Sequence, residues 1–308
     1  MYIAITGGLG FVGGRLASHF ANCGVKVTVL TRKNSFLEKN IINIRTKTVD
    51  WKNFESICDA VNGVDLIIHS AGPSSYECLM SPEASIQFLS DSTYDLLRAA
   101  KRCKIHKFIY LSTCHVYSNK LSGKIAEDFE TSNSHPYALA NLAGEKKLLN
   151  SELEFSVNSM ILRLTNIFGY PIYSNDRCWN LFVNQLVRSA HSSGIMEITG
   201  GGDDRRDFIP MKSACNKIQY AIEKLNHHKI VNISSGKSYT TIEMANVIKQ
   251  ILKNSIDYNV EIKQILQSGK PLSDLEIYSM HCDFKINKIG DYKYELLNMM
   301  KYLDKNES

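Results

Sequence analysis

Three glycines near the start of the chain have the spacing that phosphate chemistry needs. Gly7, Gly10 and Gly13 follow the short apolar run Tyr2–Thr6 as Gly-x-x-Gly-x-x-Gly. Gly7 suits a tight turn out of a strand. Gly10 leaves bare backbone for a pyrophosphate to approach, and Gly13 lets the next helix pack closely on the strand. A helical pattern follows, with Leu16, Phe20 and Ala21 apolar and Gly24 as its stop. Its free N–H groups and positive end would face the phosphates. Strand, glycine turn and helix thus come in the order of a dinucleotide site. The plainer reading, a tight turn with no ligand, fits this βαβ context less well.

A second charged group stands where such a site meets the adenosine ribose. Val25–Leu30 reads as a strand parallel to the first, and Thr31-Arg32-Lys33 ends it. An acidic residue there would bond the ribose hydroxyls of NAD, and none is present. Arg32 and Lys33 can instead clasp a 2′-phosphate. The reading taken is NADP(H), with NAD(H) as the alternative. The plainer reading is two solvated loop cations.

The elements that must position these groups are legible in outline. The chain has 308 residues, 44% hydrophobic and 22% charged, as expected of a soluble globular protein with one large or two interlocked domains. No apolar run has the length of a membrane span, and the chain opens on a strand. The expectation is a cytoplasmic protein with no signal peptide and no membrane contact. Eight scattered cysteines form no Cys-x-x-Cys pair, so reduced thiols are expected and no metal site. The net charge of +5 comes without a dense basic stripe, which argues against nucleic acid.

Further apolar runs at Ile44–Val49, Val64–His69, His106–Ser112 and Phe155–Thr165 read as strands. Phe54–Val61, Pro82–Arg102, Cys178–Ala190 and Lys212–Leu225 read as helices. Thr240 and Thr241 cap another through Leu252, with Glu243 near the capping-box position. Met196–Thr199 and Tyr258–Ile265 read as strands, and Gly200-Gly201-Gly202 as a turn. Thr93 is the one polar residue on the apolar stripe of Pro82–Arg102. The alternation predicts an α/β fold with a doubly wound parallel sheet.

Several motifs together resemble the extended short-chain dehydrogenase/reductases, the nucleotide-sugar epimerase, dehydratase and reductase group. The glycine spacing with Thr6 and Phe11 is one. Thr113-Cys114-His115-Val116-Tyr117 is similar to Ser-Ser-x-x-Val-Tyr-Gly, and Pro136-Tyr137 opens a Pro-Tyr-x-x-x-Lys pattern. Arg163-Leu-Thr-Asn166-Ile-Phe-Gly169 and Arg205-Arg206-Asp207-Phe208-Ile209 match two further signatures. Asp283 to Gly290 resembles the terminal element, and Lys270-Pro271 is a trace of the motif before it.

The resemblance implies a Rossmann domain and a smaller C-terminal substrate-binding domain. The first would hold residues 1–168 with about 211–236, the second about 169–210 with 237–308. A dinucleotide and a nucleotide-sugar would meet in the cleft between them. Gly7, Gly10, Phe11, Val12, Gly13, Asp50, Ser70 and Ala71 inherit cofactor contacts, Asp50 at the adenine. His69, beside them, reads as structural. Thr113 and Tyr137 inherit catalysis, and Thr113, Asn166 and Arg206 the substrate. For Arg206 the plainer reading is an ion pair with Asp204 or Asp207. A homodimer is implied through Pro82–Arg102 and the helix from Tyr137 to Asn150.

Asn141 stands where the family has its lysine. That lysine bonds the nicotinamide ribose, and its charge lowers the tyrosine pKa. Asn141 keeps catalytic and cofactor-binding roles but brings no charge. Position 141 lies about 40° around the helix from Tyr137, whereas Lys146 lies about 180° and Lys147 about 80° away. Neither replaces it from the same helix. A reductase needs Tyr137 as an acid, so it loses less from the missing charge. With Arg32 and Lys33 this favours NADPH-dependent reduction of a keto-sugar nucleotide. The alternative is an epimerase or dehydratase with retained NAD(P). An alternative of another class is a non-catalytic NADP(H)-binding protein.

Overall fold

In the computed structural model, the residues described are 1–32, 41–174, 176–199, 203–225, 228–265, 274–286 and 288–306. Lys33, the Gly200-Gly201-Gly202 turn and Lys270-Pro271 lie outside them. The chain opens with β1 (Tyr2–Thr6), α1 (Phe11–Asn22), β2 (Lys26–Thr31), β3 (Ile44–Thr48), α2 (Phe54–Val61) and β4 (Leu66–His69). It continues with α3 (Ser75–Met80), α4 (Pro82–Arg102), β5 (Lys107–Thr113) and β6 (Gly123–Ile125). Then come α5 (Pro136–Phe155), β7 (Asn158–Leu164), β8 (Asn166–Phe168), α6 (Phe182–Ser193), β9 (Ile195–Ile198) and β10 (Arg205–Pro210). The last elements are α7 (Met211–Lys224), β11 (Ile230–Ile233), β12 (Ser238–Thr240), α8 (Thr241–Ile256), β13 (Glu261–Gln264), β14 (Leu275–Ile277) and α9 (Lys288–Asn306).

Two compact units share these elements. The first holds Met1–Asn119, Glu130–Leu164 and Ile218–Val231. Its seven-stranded parallel sheet has the order β11-β7-β5-β4-β1-β2-β3. The central strands β1, β4 and β5 are mostly apolar and buried because helices cover both faces, while the edge strand β3 (IRTKT) is largely polar. Ile3, Ile5, Val27, Val29, Ile67, Phe108 and Ile161 are fully buried. The order reverses between β1 and β4, so the crevice at their carboxyl ends is the switch point where such sheets take ligands.

The second unit holds Lys120–Phe129, Thr165–Lys217 and Asn232–Ser308. In it β10 pairs in parallel with β8 and antiparallel with β12. Two smaller parallel pairs, β13 with β9 and β14 with β6, complete it. Glu295 of α9 is buried beside Gly169 and accepts the N–H groups of Tyr170 (3.3 Å) and Lys212 (3.2 Å).

The differences from the sequence reading have local causes. α1 starts at Phe11, before the last glycine, because Gly10 serves as its N-cap. β7 starts three residues later than expected: α5 runs on through Phe155, and Ser156 reverses the chain at φ +53°. α6 starts at Phe182 because residues 176–180 form a short 3₁₀ turn first. α3 was not expected, although Ser74 and Glu77 form a complete capping box. The buried hydroxyl of Thr93 donates to the Leu89 carbonyl at 2.6 Å, which lets it sit on an apolar stripe.

Candidate active site

Hydrogen bonding at the switch point leaves little freedom. The Thr6 hydroxyl oxygen accepts the N–H groups of Ser70 and Ala71, each at 3.0 Å. Its own proton then goes to His69 Nδ1 at 2.7 Å. That sets the tautomer, so His69 Nε2–H donates to Ser92 Oγ at 3.2 Å, and Ser92 donates to the Phe88 carbonyl at 2.6 Å. Burial holds the imidazole neutral and lowers its pKa to about 3. His69 is thus a structural strut, as the sequence suggested.

The glycine turn lies against this strut. Gly7 has φ +65°, and a Cβ there would come within 2.9 Å of Ala71 backbone atoms. A Cβ on Gly13 would run into the Gly7 carbonyl. No side chain caps α1, and its first turn has no acidic residue. Phe11 and Val12 begin it, half-buried. Glycine at 7 and 13 lets these backbone segments pack closely, and the N-terminus of α1, with no side-chain cap, offers N–H donors to an anion, which fits a dinucleotide pyrophosphate. Arg32 is exposed just beyond β2. Asp50 is exposed after β3, and its carboxylate accepts the Lys52 N–H at 3.0 Å.

Thr113 ends β5 and Tyr137 lies in the first turn of α5, and the structure brings them together. The hydroxyl of Tyr137 is hydrogen-bonded by Asn141 and Thr113. The half-buried side chain packs against a cluster formed by Cys78, Leu89 and Ala140. Burial pushes its pKa up and the Cys78 thiol adds to this, while the two hydrogen bonds pull it down; the net shift is upward. Among the described residues, no cation contributes. Asn141 is buried and also donates to the Tyr137 carbonyl at 2.8 Å. Its amide brings no charge to the tyrosine.

Two sets of residues that the sequence reading gave no role hold this pair in place. His135 Nδ1 accepts the Tyr137 N–H at 3.1 Å and so caps α5. Asn133 Oδ1 accepts the His135 N–H at 2.8 Å, and its Nδ2 donates to the carbonyls of His115 (2.6 Å) and Ser118 (3.0 Å). Two turns on, Glu145 is buried and meets Arg163 of β7 in two bonds, Nε at 3.0 Å and Nη2 at 2.7 Å. Ser112, next to Thr113, donates to the same carboxylate. This clamp ties the tyrosine's helix to the threonine's strand. A glutamate on the buried face of α5 was the available signal.

In the second unit, Asn166 Nδ2 donates to the Asp207 carbonyl at 3.0 Å. Arg206 pairs with Asp204 at 3.6 Å, both partly exposed, and its guanidinium lies 5.7 Å from the Phe182 ring. Asp207 is fully buried. It accepts from Thr165 Oγ1 (2.7 Å), Ser235 N (2.8 Å), Ser235 Oγ (2.9 Å) and Lys237 N (3.2 Å). It is the hub of this unit, and the side chain of Arg206 is left at the surface.

A sequence profile described as the NAD dependent epimerase/dehydratase family matches residues 3–234. A dTDP-glucose 4,6-dehydratase of Streptomyces niveus is 26% identical, over 82% of this chain and 77% of its own. An uncharacterized UDP-glucose epimerase of Bacillus subtilis is 26% identical, over 82% of each chain. Among solved structures, MoeE5 in complex with UDP-glucuronic acid and NAD aligns with a TM-score of 0.79. It is 16% identical over 99% of both chains, a likeness of fold. Among the described residues, no helix is long and apolar enough to cross a membrane.

Proposed function

This chain belongs to the NAD-dependent epimerase/dehydratase family, and from that premise we propose that it is an epimerase or dehydratase of a nucleotide-sugar with a retained dinucleotide. The observation that carries this reading is the Tyr137 hydroxyl, hydrogen-bonded to Thr113 and Asn141. The relatives, dehydratases and epimerases, support it over net reduction.

The glycine turn, the α1 N-terminus, Ser70, Ala71 and Asn141 would hold the dinucleotide. When bound, its nicotinamide supplies or accepts the hydride. Tyr137 moves the proton: as phenolate it takes one from a sugar hydroxyl, and as phenol it returns one. Thr113 bonds the same sugar oxygen and orients it. Arg206 and Asn166 would serve the nucleotide end. The exposed Arg206–Asp204 pair is weak, so a diphosphate can compete for the guanidinium. Arg32 supports NADP(H), and NAD(H) is the cofactor the family implies. A cytoplasmic homodimer through α4 and α5 completes the reading.

Net reduction of a keto-sugar nucleotide is the second reading, favoured by the raised pKa of Tyr137, which keeps it an acid. The test is incubation with UDP- and dTDP-sugars, with products followed by NMR. Epimerised or dehydrated sugar without net cofactor consumption supports the proposal. Stoichiometric loss of NADPH with a keto-sugar supports the second reading. Tyr137→Phe should abolish turnover and keep cofactor binding. Full turnover in that variant would remove Tyr137 from the mechanism. Cofactor binding without any turnover in the wild type would support the non-catalytic reading.

A further inference from the structure

Away from the site just described, two thiols meet where α2 packs on α4. Cys58 lies on α2 and is 5% exposed, while Cys103 directly follows α4 and is half-buried. Cys103 Sγ donates to the Cys58 carbonyl at 3.5 Å. The two thiols are also hydrogen-bonded to each other. The helices around them are held in register. The Arg98 guanidinium lies 3.5 Å over the Phe54 ring, Arg102 lies 5.6 Å from the same ring, and Arg102 pairs with Glu55. Phe54 and Cys58 are one turn apart on α2, as Arg98 and Arg102 are on α4. The sulfurs are therefore neighbours in a fixed frame.

We propose that Cys58 and Cys103 are a redox-modification site that closes reversibly into an intramolecular disulfide. The co-reactant is a hydroperoxide. The thiolate of Cys103, the more accessible of the two, attacks one peroxide oxygen. An S–O bond forms, the O–O bond breaks, and an alcohol or water leaves with a proton. The Cys58 thiolate then attacks the Cys103 sulfur, the S–S bond forms, and the S–O oxygen leaves as water. Two thiols lose two electrons and two protons, and the peroxide gains both.

The surroundings make this a slow site and a selective one. Burial raises the pKa of both thiols, whereas Arg102 favours both thiolates. Glu55 and Asp59 are the carboxylates facing the pair. Cys58 is placed to react with Cys103 before solvent reaches it. The segment the bond would enclose carries β4, the Ser70–Ala71 turn and α3. Oxidation would therefore staple the part of the sheet that carries the cofactor turn.

The full-length reduced protein is treated with hydrogen peroxide, alkylated, digested without reductant and mapped by mass spectrometry. The expected product is a linked peptide pair containing Cys58 and Cys103 that dithiothreitol separates. The oxidised protein should melt roughly 5 °C higher than the reduced one. Cys103→Ser should give neither the link nor the gain. The exposed Cys23 is the internal control for reagent exposure. Cys58 and Cys103 each recovered singly alkylated, in a sample where Cys23 is oxidised, would overturn the proposal. So would a dominant link to any other cysteine. The wild-type peptide map decides the matter even if the variant does not fold.

Discussion

Glu145 and Asp207 are both buried carboxylates, one in each unit, and they are satisfied in opposite ways. Glu145 meets a guanidinium in two bonds and the Ser112 hydroxyl in a third. Asp207 meets two hydroxyls and two backbone N–H groups. Each stands near residues proposed for chemistry: Glu145 two turns along α5 from Tyr137 and bonded to Ser112 next to Thr113, Asp207 next to Arg206 and bonded through its carbonyl by Asn166. The first is a balance of charges and fails if either partner goes. The second is a set of neutral donors around one charge, to which the buried Lys217 ammonium adds a smaller Coulombic pull. Burial pushes Asp207 above the usual carboxylate range despite its donors.

The largest effect should come from breaking the charge balance. Glu145→Gln leaves the Arg163 guanidinium buried without its countercharge, which costs about 3–5 kcal/mol. Urea unfolding should show this as a lower midpoint with an unchanged slope. Replacing both, Glu145→Leu with Arg163→Met, should recover most of the loss, because no charge then remains to be solvated. A single-variant loss below about 1 kcal/mol would put the pair among exposed salt bridges and end the comparison.

Tyr137 is the contrasting case, a half-buried acid with no charged partner among the described residues. Placing a cation about 6 Å away at an effective dielectric near 20 is worth about 3 kcal/mol, or roughly two pKa units. Asn141→Lys should therefore lower the pKa seen in the pH profile of alcohol oxidation and speed oxidation at neutral pH. In the wild type, oxidation should climb steeply with pH, while reduction, which uses the protonated phenol, stays level through neutrality. A wild-type oxidation pKa already near 7 would mean that another cation does the lysine's work.

Asp207→Asn should cost less, about 1–3 kcal/mol, since an amide keeps the shape but accepts fewer bonds. Its pH dependence has a definite sign. The folded pKa lies above the unfolded one, so the folded protein takes up the proton first as pH falls. Wild-type stability relative to Asp207→Asn should thus rise as pH drops through the folded pKa, and fall as pH rises. Matched unfolding curves at pH 7 and pH 5 check this. A gap that widens the other way would mean Asp207 is stabilised as a carboxylate.

Legibility in the sequence depends on how local each signal is. The β1 and α4 bounds came out as read, because apolar periodicity and a Pro at the helix start are written in neighbouring residues. The Thr240–Glu243 capping box was legible for the same reason. The placement of Tyr137, Thr113 and Asn141 came from motif spacing on a helix and a strand end. Arg163 and Asp207 stand in legible motifs and Glu145 on a legible helix, but the pairing of Glu145 with Arg163 and the donors around Asp207 were not legible. Their partners are brought together by sheet register, and nothing near Glu145 in sequence announces Arg163. Whether a buried carboxylate is paired or only hydrogen-bonded depends on what the fold sets against it.

The smallest expected effect tests the opposite extreme, a charge left in water. Arg32 is exposed at the end of β2 and forms no ion pair with another described residue. An exposed guanidinium gains little from a partner, typically up to about 1 kcal/mol. A 2′-phosphate carries more charge and takes the fork in two bonds, so about fivefold in affinity is a reasonable scale. Nicotinamide fluorescence titrations should then show tighter binding of NADPH than NADH in the wild type. Arg32→Ala should cut the ratio about fivefold through NADPH alone. The difference should shrink at high salt, where the Debye length falls from about 8 Å toward 3 Å. A guanidinium already buried in a pair, as Arg163 is, would show no such salt dependence. Equal wild-type affinities, or a preference for NADH, would make Arg32 a solvated loop cation and leave NAD as the cofactor. A loss shared equally by both cofactors in Arg32→Ala would point to an altered turn after β2 and not to phosphate recognition.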